Sequence, residues 1–140
     1  MPVVFAVERA AAVAFFASAR WLTANNADWT DGIVGVRFHG VQSHSFGAPN
    51  DEAFHGHPLA KFGLRQYEFA RVENSPWIES LRIMNAVHPH HRDEVFAELK
   101  HFVLPFHDTT FECVARGYAV ETADAGETSP AGMVNSLMGQ

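Results

Sequence analysis

The segment from His101 to Glu121 constrains the fold more than any other, because it carries two alternating strand patterns joined by a short polar turn. On both arms every second side chain is apolar, and a period of two is typical of a strand with one buried face. The arms meet at Asp108-Thr109, which indicates an antiparallel hairpin. The apolar positions are Phe102, Leu104 and Phe106 on the first arm and Phe111, Cys113 and Ala115 on the second.

The register of this hairpin follows from pairing Phe106 with Phe111, which makes one face wholly apolar. Leu104 then lies opposite Cys113, so Cys113 is predicted to be a buried core residue. Pro105 has no N–H to donate, which a sheet tolerates where that group would point away from a partner strand. The first arm is therefore predicted to be an edge strand.

A main helix is predicted before the hairpin, over about 76–88. Ser75 favours the capping position and Pro76 favours the first helical position, so the start of this helix is clearly marked. Its predicted buried face consists of Trp77, Leu81 and Met84. The other predicted elements are a short helix over 93–99, strands over 34–38 and 66–73, and a structured loop with one or two helical turns over 47–65.

The N-terminal residues 3–24 contain no Gly or Pro and are rich in Ala, which slightly favours a helix over buried strands. Ala17-Ser18-Ala19 has the form of a signal-peptidase site, but Glu8 offsets Arg9 before it, so a cytoplasmic location is expected. The apolar run is also too short to span a bilayer.

The C-terminal residues 122–140 have little apolar surface to bury, so they are predicted to form a linker-like tail. Within them, Met133 to Met138 is mildly apolar. That pattern leaves open whether this run docks on its own domain or on a neighbouring copy.

The composition fits one α+β domain, predicted over 1–121, with an antiparallel sheet and the hairpin packed on the main helix. A chain of 140 residues with 47% hydrophobic residues can bury a stable core without disulfide bonds or structural metals. The formal charge of −6 argues against a nucleic-acid partner, because phosphate binding needs clustered basic residues. The single cysteine excludes an internal disulfide and fits a reducing compartment.

Sequence motifs for cofactors and metals are weak. The chain has no phosphate-binding glycine loop, dinucleotide fingerprint, nucleophile elbow or paired cysteines, so no cofactor is predicted. Nine histidines raise the question of a metal, since imidazole binds transition metals. The only pairs with useful spacing are His55-Gly56-His57 and His90-His91, without a four-ligand set. We therefore predict solvated or locally hydrogen-bonded histidines and no metal site.

A candidate site combines the loop after Asn50 with the polar side of the hairpin. His107 is the predicted acid or base and Glu112 its orienting partner, because a histidine beside a carboxylate is the common unit of general-base catalysis. His101 is expected on the same face. Alternating polar residues are also what a one-sided sheet shows to water, and such a solvated face is the more common interpretation. The predicted ligand-binding residues are Asn50, Asp51, Glu52, His55, His57, Asp108 and Arg116.

Two sequence runs resemble those of a family of small uncharacterised bacterial proteins. The runs are Phe46-Gly-Ala-Pro-Asn-Asp-Glu-Ala-Phe-His-Gly-His-Pro-Leu, with Gly63-Leu64, and Phe106-His-Asp-Thr-Thr-Phe-Glu-Cys. The resemblance extends over residues 34–118. It implies that the Asn50 loop and the His107 hairpin belong to one domain, and it implies no activity, ligand or catalytic residue.

Two functions are compatible with these features. The first is a small-molecule-binding protein, with or without catalysis, whose His/carboxylate site lies between the 50–57 loop and the 101–121 hairpin. The alternative is a non-catalytic acidic module that binds a basic protein, for which the net charge of −6 and an edge at Pro105 are the support. The sequence does not distinguish a small molecule from a protein partner and leaves a homo-oligomer open.

Overall fold

The computed structural model of the chain describes residues 1–18 and 31–139. Its α-helices are α1 (Pro76–Asn85), α2 (Asp93–Ala97) and α3 (Pro130–Met138), and two 3₁₀ turns cover Phe54–Gly56 and Ala60–Phe62. Its strands are β1 (Val3–Val7), β2 (Ala10–Ser18), β3 (Asp31–His39), β4 (Ser43–Gly47), β5 (Ala70–Val72), β6 (Lys100–Pro105), β7 (Thr110–Ala115) and β8 (Gly117–Asp124).

The strands form two four-stranded sheets, in the orders β1-β2-β3-β8 and β4-β7-β6-β5. The pairings of β1 with β2, β2 with β3, β4 with β7, β5 with β6 and β6 with β7 are all antiparallel. The predicted α+β class with an antiparallel sheet is thus confirmed. The chain divides into two compact units, Met1–His39 with Tyr118–Gln140 and Gly40–Gly117.

The N-terminal part of the first unit consists of strands, so the slight preference for a helix was wrong over its described residues. Val3 lies opposite Ala14 and Val7 lies opposite Ala10 in the β1–β2 pair. The alanines that favour a helix by propensity are here small residues that let a helix pack closely on the sheet, and tertiary packing overrides propensity. Residues 19–24 of that stretch lie outside the described residues.

The C-terminal residues predicted as a linker-like tail contain the end of β8 and helix α3. Ser129 caps α3, since its Oγ accepts a hydrogen bond from the N–H of Gly132 at 3.0 Å, and Pro130 follows at the first helical position. The run left open by the sequence therefore docks on its own unit. The buried cluster consists of Met133, Val134 and Leu137 from α3 with Ala12, Ala14 and Ile33 from the sheet.

Gly35 on β3 permits the close approach of α3 to this sheet. A Cβ atom at Gly35 would lie 2.6 Å from Cγ of Met133 and 2.7 Å from Cδ1 of Leu137. Both contacts are shorter than real Cβ contacts, so a larger residue would push the helix side chains away.

The hairpin of the second unit forms with a register shifted by two residues from the predicted one. Leu104, not Phe106, lies opposite Phe111, and Phe102 lies opposite Cys113. The N–H of Phe106 donates instead to the carbonyl oxygen of Thr109 at 2.8 Å, so the turn takes in residues 106–109. Because the shift is an even number of residues, the predicted faces keep their composition. Cys113 is fully buried, as predicted.

The predicted edge position of Pro105 was wrong, because β6 lies between β7 and β5. Strand β5 pairs only with His101 to Val103, so Pro105 lies beyond the end of this partner. The missing N–H therefore removes no hydrogen bond to β5.

Helix α1 begins as predicted, with the N–H of Ile78 donating to Oγ of Ser75 at 3.3 Å. It ends at Asn85 rather than at His88. No residue of α1 is fully buried, and Met84 is 67% exposed, so the predicted buried face holds only partly, at the half-buried Trp77 and Leu81.

Three further predicted elements are present with changed lengths. The strand predicted over 34–38 is β3, the one predicted over 66–73 is the three-residue β5, and the helix predicted over 93–99 is α2. None of the helices in the described ranges is long and apolar enough to cross a membrane.

Candidate functional site

A carboxylate clamped by two histidines lies in the Gly40–Gly117 unit. Oε1 of Glu112, on β7, is 2.8 Å from Nε2 of His101 on β6. Its Oε2 is 2.9 Å from Nε2 of His57, in the loop after the first 3₁₀ turn. Glu112 lies opposite Val103 and His101 lies opposite Val114, so Glu112 and His101 are diagonal neighbours on one face of the hairpin.

The hydrogen bond at Nδ1 of His57, the ring nitrogen that does not face Glu112, determines the tautomer of this imidazole. Nδ1 of His57 accepts a hydrogen bond from the backbone N–H of Leu59 at 3.0 Å. A nitrogen that accepts carries no proton, so the proton of the neutral ring is on Nε2. His57 therefore donates its Nε2–H to Glu112.

The hydrogen bonds of His101 continue the network to Ser75. Nδ1 of His101 is 2.8 Å from Oγ of Ser75, and that oxygen already accepts the N–H of Ile78. An ionised carboxylate at Glu112 requires a donor at Nε2 of His101, so Nδ1 of the neutral ring is the acceptor and the Ser75 hydroxyl donates to it. Trp77 closes one side of this imidazole, with its ring edge-on at a centroid distance of 5.1 Å.

The burial of this network distinguishes it from an ordinary surface cluster. Within the described chain, four polar or charged residues are buried, and His57, Ser75 and His101 are three of them. The Glu112 side chain is 18% exposed. Burial raises the pKa of Glu112, but the hydrogen bonds from His101 and His57 outweigh it and hold this pKa below its usual value. Glu112 is thus a charged acceptor for both rings.

Ser75 connects the network to a cavity of about 610 Å³. The cavity lies between β5, the start of α1 and the segment that joins α2 to β6. Its wall is mixed in charge and polarity, with Arg71, Val72, Glu73, Asn74, Ser75, Ile78, Glu79, Ala97, Leu99 and Lys100 as the lining residues. Ser75, whose hydroxyl donates to a buried imidazole, is therefore one of the residues that line a space large enough for a small molecule.

The structure does not form the predicted pair of His107 and Glu112. The shifted register leaves His107 in the turn, where its side chain is 76% exposed and its Nδ1 lies 3.3 Å from carboxylate oxygens of Asp51 and Asp108. A hydrogen bond with its own backbone raises the pKa of His107, and the two carboxylates raise it further. His107 is thus part of an exposed ionic cluster in the turn.

The other predicted ligand-binding residues lie in three environments. His57 joins the Glu112 network. Asn50 and Asp51 order the loop, since Asn50 Oδ1 accepts the N–H of Ala53 at 3.0 Å and Asp51 Oδ2 accepts the Tyr67 hydroxyl at 2.7 Å. Four of the predicted residues are exposed to solvent, namely Glu52, His55, Asp108 and Arg116. Nη2 of Arg116 lies 3.9 Å from Oε2 of Glu98.

The predicted meeting of the 50–57 loop with the hairpin does occur. The N–H of Asp51 donates to the carbonyl oxygen of His107 at 2.8 Å, and His57 bonds to Glu112. Ser75 was predicted as a helix cap and not as a member of this network, because a helix start fully explains Ser75-Pro76. Ser75 and His101 are 26 residues apart in the sequence, so no local sequence pattern predicts their contact.

Comparison of the chain with protein-family models, with curated proteins and with solved structures gave no match. The resemblance of the two sequence runs to a bacterial family stays a prediction. Within the described ranges, no group of three or more His, Cys, Asp or Glu side chains is arranged to hold a metal ion.

Proposed function

We propose that the Gly40–Gly117 unit binds a small molecule in the Ser75 cavity and that His101 serves there as an acid–base group. Glu112 and His57 are positioning residues in this proposal. The observation that carries it is the continuous hydrogen-bond chain from His57 through Glu112 and His101 to Ser75, a residue that lines the cavity.

The location of this hydrogen-bond chain supports a role in binding or catalysis in addition to any role in fold stability. Buried polar groups cost free energy unless each is hydrogen-bonded, and apolar residues of similar volume stabilise a fold equally well or better. A network that served stability alone would have no need to end at a cavity. A few converging polar groups beside a concave space are the usual composition of a binding or catalytic site.

The alternative function, a non-catalytic acidic module for a basic protein, has lost part of its support. It relied on an exposed sheet edge at Pro105, and Pro105 is buried at the end of an interior strand. The net charge of −6 remains its support.

A thermal-shift screen tests the proposed binding. A set of small esters, amides, alcohols and carboxylic acids is tested against the wild-type chain and the Ala97→Trp variant. Ala97 is an exposed residue that lines the cavity and has no side-chain atom in the Glu112 network, so tryptophan there should occupy part of the space. A ligand at 100 times its Kd stabilises by about 2.7 kcal/mol, which is about 5–10 °C in Tm for a chain of this size.

We expect at least one class to raise the Tm of the wild type and to lose this effect in Ala97→Trp. Shifts of equal size in the two proteins would place binding elsewhere and contradict the proposal. The absence of any shift across the set would contradict it as well.

A further inference from the structure

We propose that Ser75 is a nucleophile that accepts the acyl group of small carboxylic esters, with His101 as its general base. This inference rests on the proposed function, because it assigns the chemistry of the same cavity. Oγ of Ser75 is 2.8 Å from Nδ1 of His101, and Nε2 of His101 is 2.8 Å from Glu112. A hydroxyl, an imidazole and a carboxylate in that order are the groups of a serine acyl-transfer site.

The orientation of His101 is fixed from both sides. Glu112 holds Nε2–H, which leaves Nδ1 free of a proton and directed at the hydroxyl. Glu112 is itself held at its other oxygen by His57, whose tautomer is set by the N–H of Leu59. His101 is 4% exposed, so bulk water does not compete for its nitrogens.

A second helix start in the same chain shows what a serine does when it is only a cap. Ser129-Pro130 begins α3 with the same hydrogen bond from the third helical N–H, at 3.0 Å against 3.3 Å for Ser75. Ser129 is exposed, and its Oγ accepts the hydrogen bond from the N–H of Gly132. Capping therefore needs no histidine, and the bond from Ser75 to His101 is an addition to the cap.

The first turn of α1 offers one N–H donor for the negative charge that develops on the substrate oxygen. Pro76 has no N–H, and the N–H of Trp77 at the second helical position has no acceptor within the helix. This N–H lies beside Ser75 at the positive end of the helix dipole. A carbonyl oxygen that becomes an oxyanion there would be stabilised by it.

The reaction conserves its atoms and charges. Oγ of Ser75 forms a bond to the ester carbonyl carbon while its proton passes to Nδ1 of His101. The tetrahedral intermediate expels the alcohol oxygen, which takes that proton and leaves an acyl-serine. Water then attacks the acyl carbon, gives its proton to Nδ1 and releases the carboxylic acid as the proton returns to Ser75.

The test uses the full chain with p-nitrophenyl acetate and with an alkyl fluorophosphonate. We expect a burst of p-nitrophenolate equal to the amount of protein, and intact-mass and peptide analysis should place one acyl or phosphonyl group on Ser75. His101→Gln should slow acylation by about 10²- to 10⁴-fold, the usual contribution of a general base.

Two variants separate this role from capping. Ser75→Asn keeps a capping side chain but has no hydroxyl, and it should give no burst and no label. Ser129→Ala removes the other Ser-Pro cap and should label at the wild-type rate. Circular dichroism of each variant checks that the fold is retained.

Three outcomes would overturn the inference: labelling of another residue, equal labelling of Ser75→Asn, or no labelling of the wild type by either reagent. If ligand-dependent Tm shifts that depend on Ala97 persist in those cases, the nucleophile role alone has failed. If they are absent too, the proposed binding function has failed with it.

Discussion

The Cys113→Asp variant is expected to lose at least about 4 kcal/mol of its free energy of unfolding, because it places an unpaired carboxylate in the interior. Cys113 lies on β7 between Phe102 on β6 and His44 on β4, and it is fully buried. Burial also raises the pKa of its thiol, so the neutral group is the favoured form. Most natural domains have only about 5–15 kcal/mol in total, and the variant should therefore be largely unfolded.

Urea denaturation of Cys113→Asp and Cys113→Ala measures this effect. Alanine deletes only the thiol and should cost about 1 kcal/mol, which separates the loss of packing from the buried charge. The wild-type thiol should react with a thiol reagent only as fast as the fold opens. Rapid labelling of native protein, or equal stability of the two variants, would contradict the burial of Cys113.

Glu112→Gln is expected to lower the free energy of unfolding by about 2–4 kcal/mol, although it changes no volume. A carboxylate accepts the Nε2–H of both His57 and His101, whereas an amide offers one acceptor oxygen and one N–H group. One buried imidazole donor would then face another donor. The matched control is Glu98→Gln, because Glu98 is exposed and its Oε2 lies 3.9 Å from Nη2 of Arg116, so this change should leave stability almost unaltered.

The pH dependence of the same variant pair gives an independent test. The hydrogen bonds hold the pKa of folded Glu112 below its ordinary value of 4.5. A group with a lowered folded-state pKa stabilises above its ordinary pKa and loses that contribution as the pH falls through the folded value. The stability difference between wild type and Glu112→Gln should therefore shrink as the pH falls below that ordinary value. A difference that grows in acid would contradict the charged state of Glu112.

Much of the hairpin could be predicted from the sequence, because its pattern of alternation is local. The predicted composition of the two hairpin faces is correct despite a register error of two residues, since a shift by an even number keeps each side chain on its side of the sheet. The N-terminal strands could not be predicted in the same way. Ala12 and Ala14 favour a helix by propensity, and only the packing of α3 against them decides for a strand.

The contact between the loop and the hairpin could be predicted, but neither the partner of Glu112 nor the Ser75 cavity could. The 50–57 loop and the hairpin do meet, and His57 and Glu112 were both among the predicted residues. His107 was paired with Glu112 because the predicted register extended the strand through a residue that lies in the turn. Ser75 joins His101 only through the tertiary fold, and its cap motif already accounted for its presence.

The protonation state of the ring nitrogens of His101 and His57 decides whether the hydrogen-bond chain from His57 to Ser75 exists. Long-range ¹H–¹⁵N spectra of uniformly labelled protein distinguish a protonated ring nitrogen from a bare one. At mildly alkaline pH, we expect both rings to carry their proton on Nε2, and we expect the bare Nδ1 of His101 alone to change its signal in Ser75→Asn. A proton on Nδ1 of His101, or a ring that exchanges freely between tautomers, would contradict the chain of hydrogen bonds from His57 to Ser75.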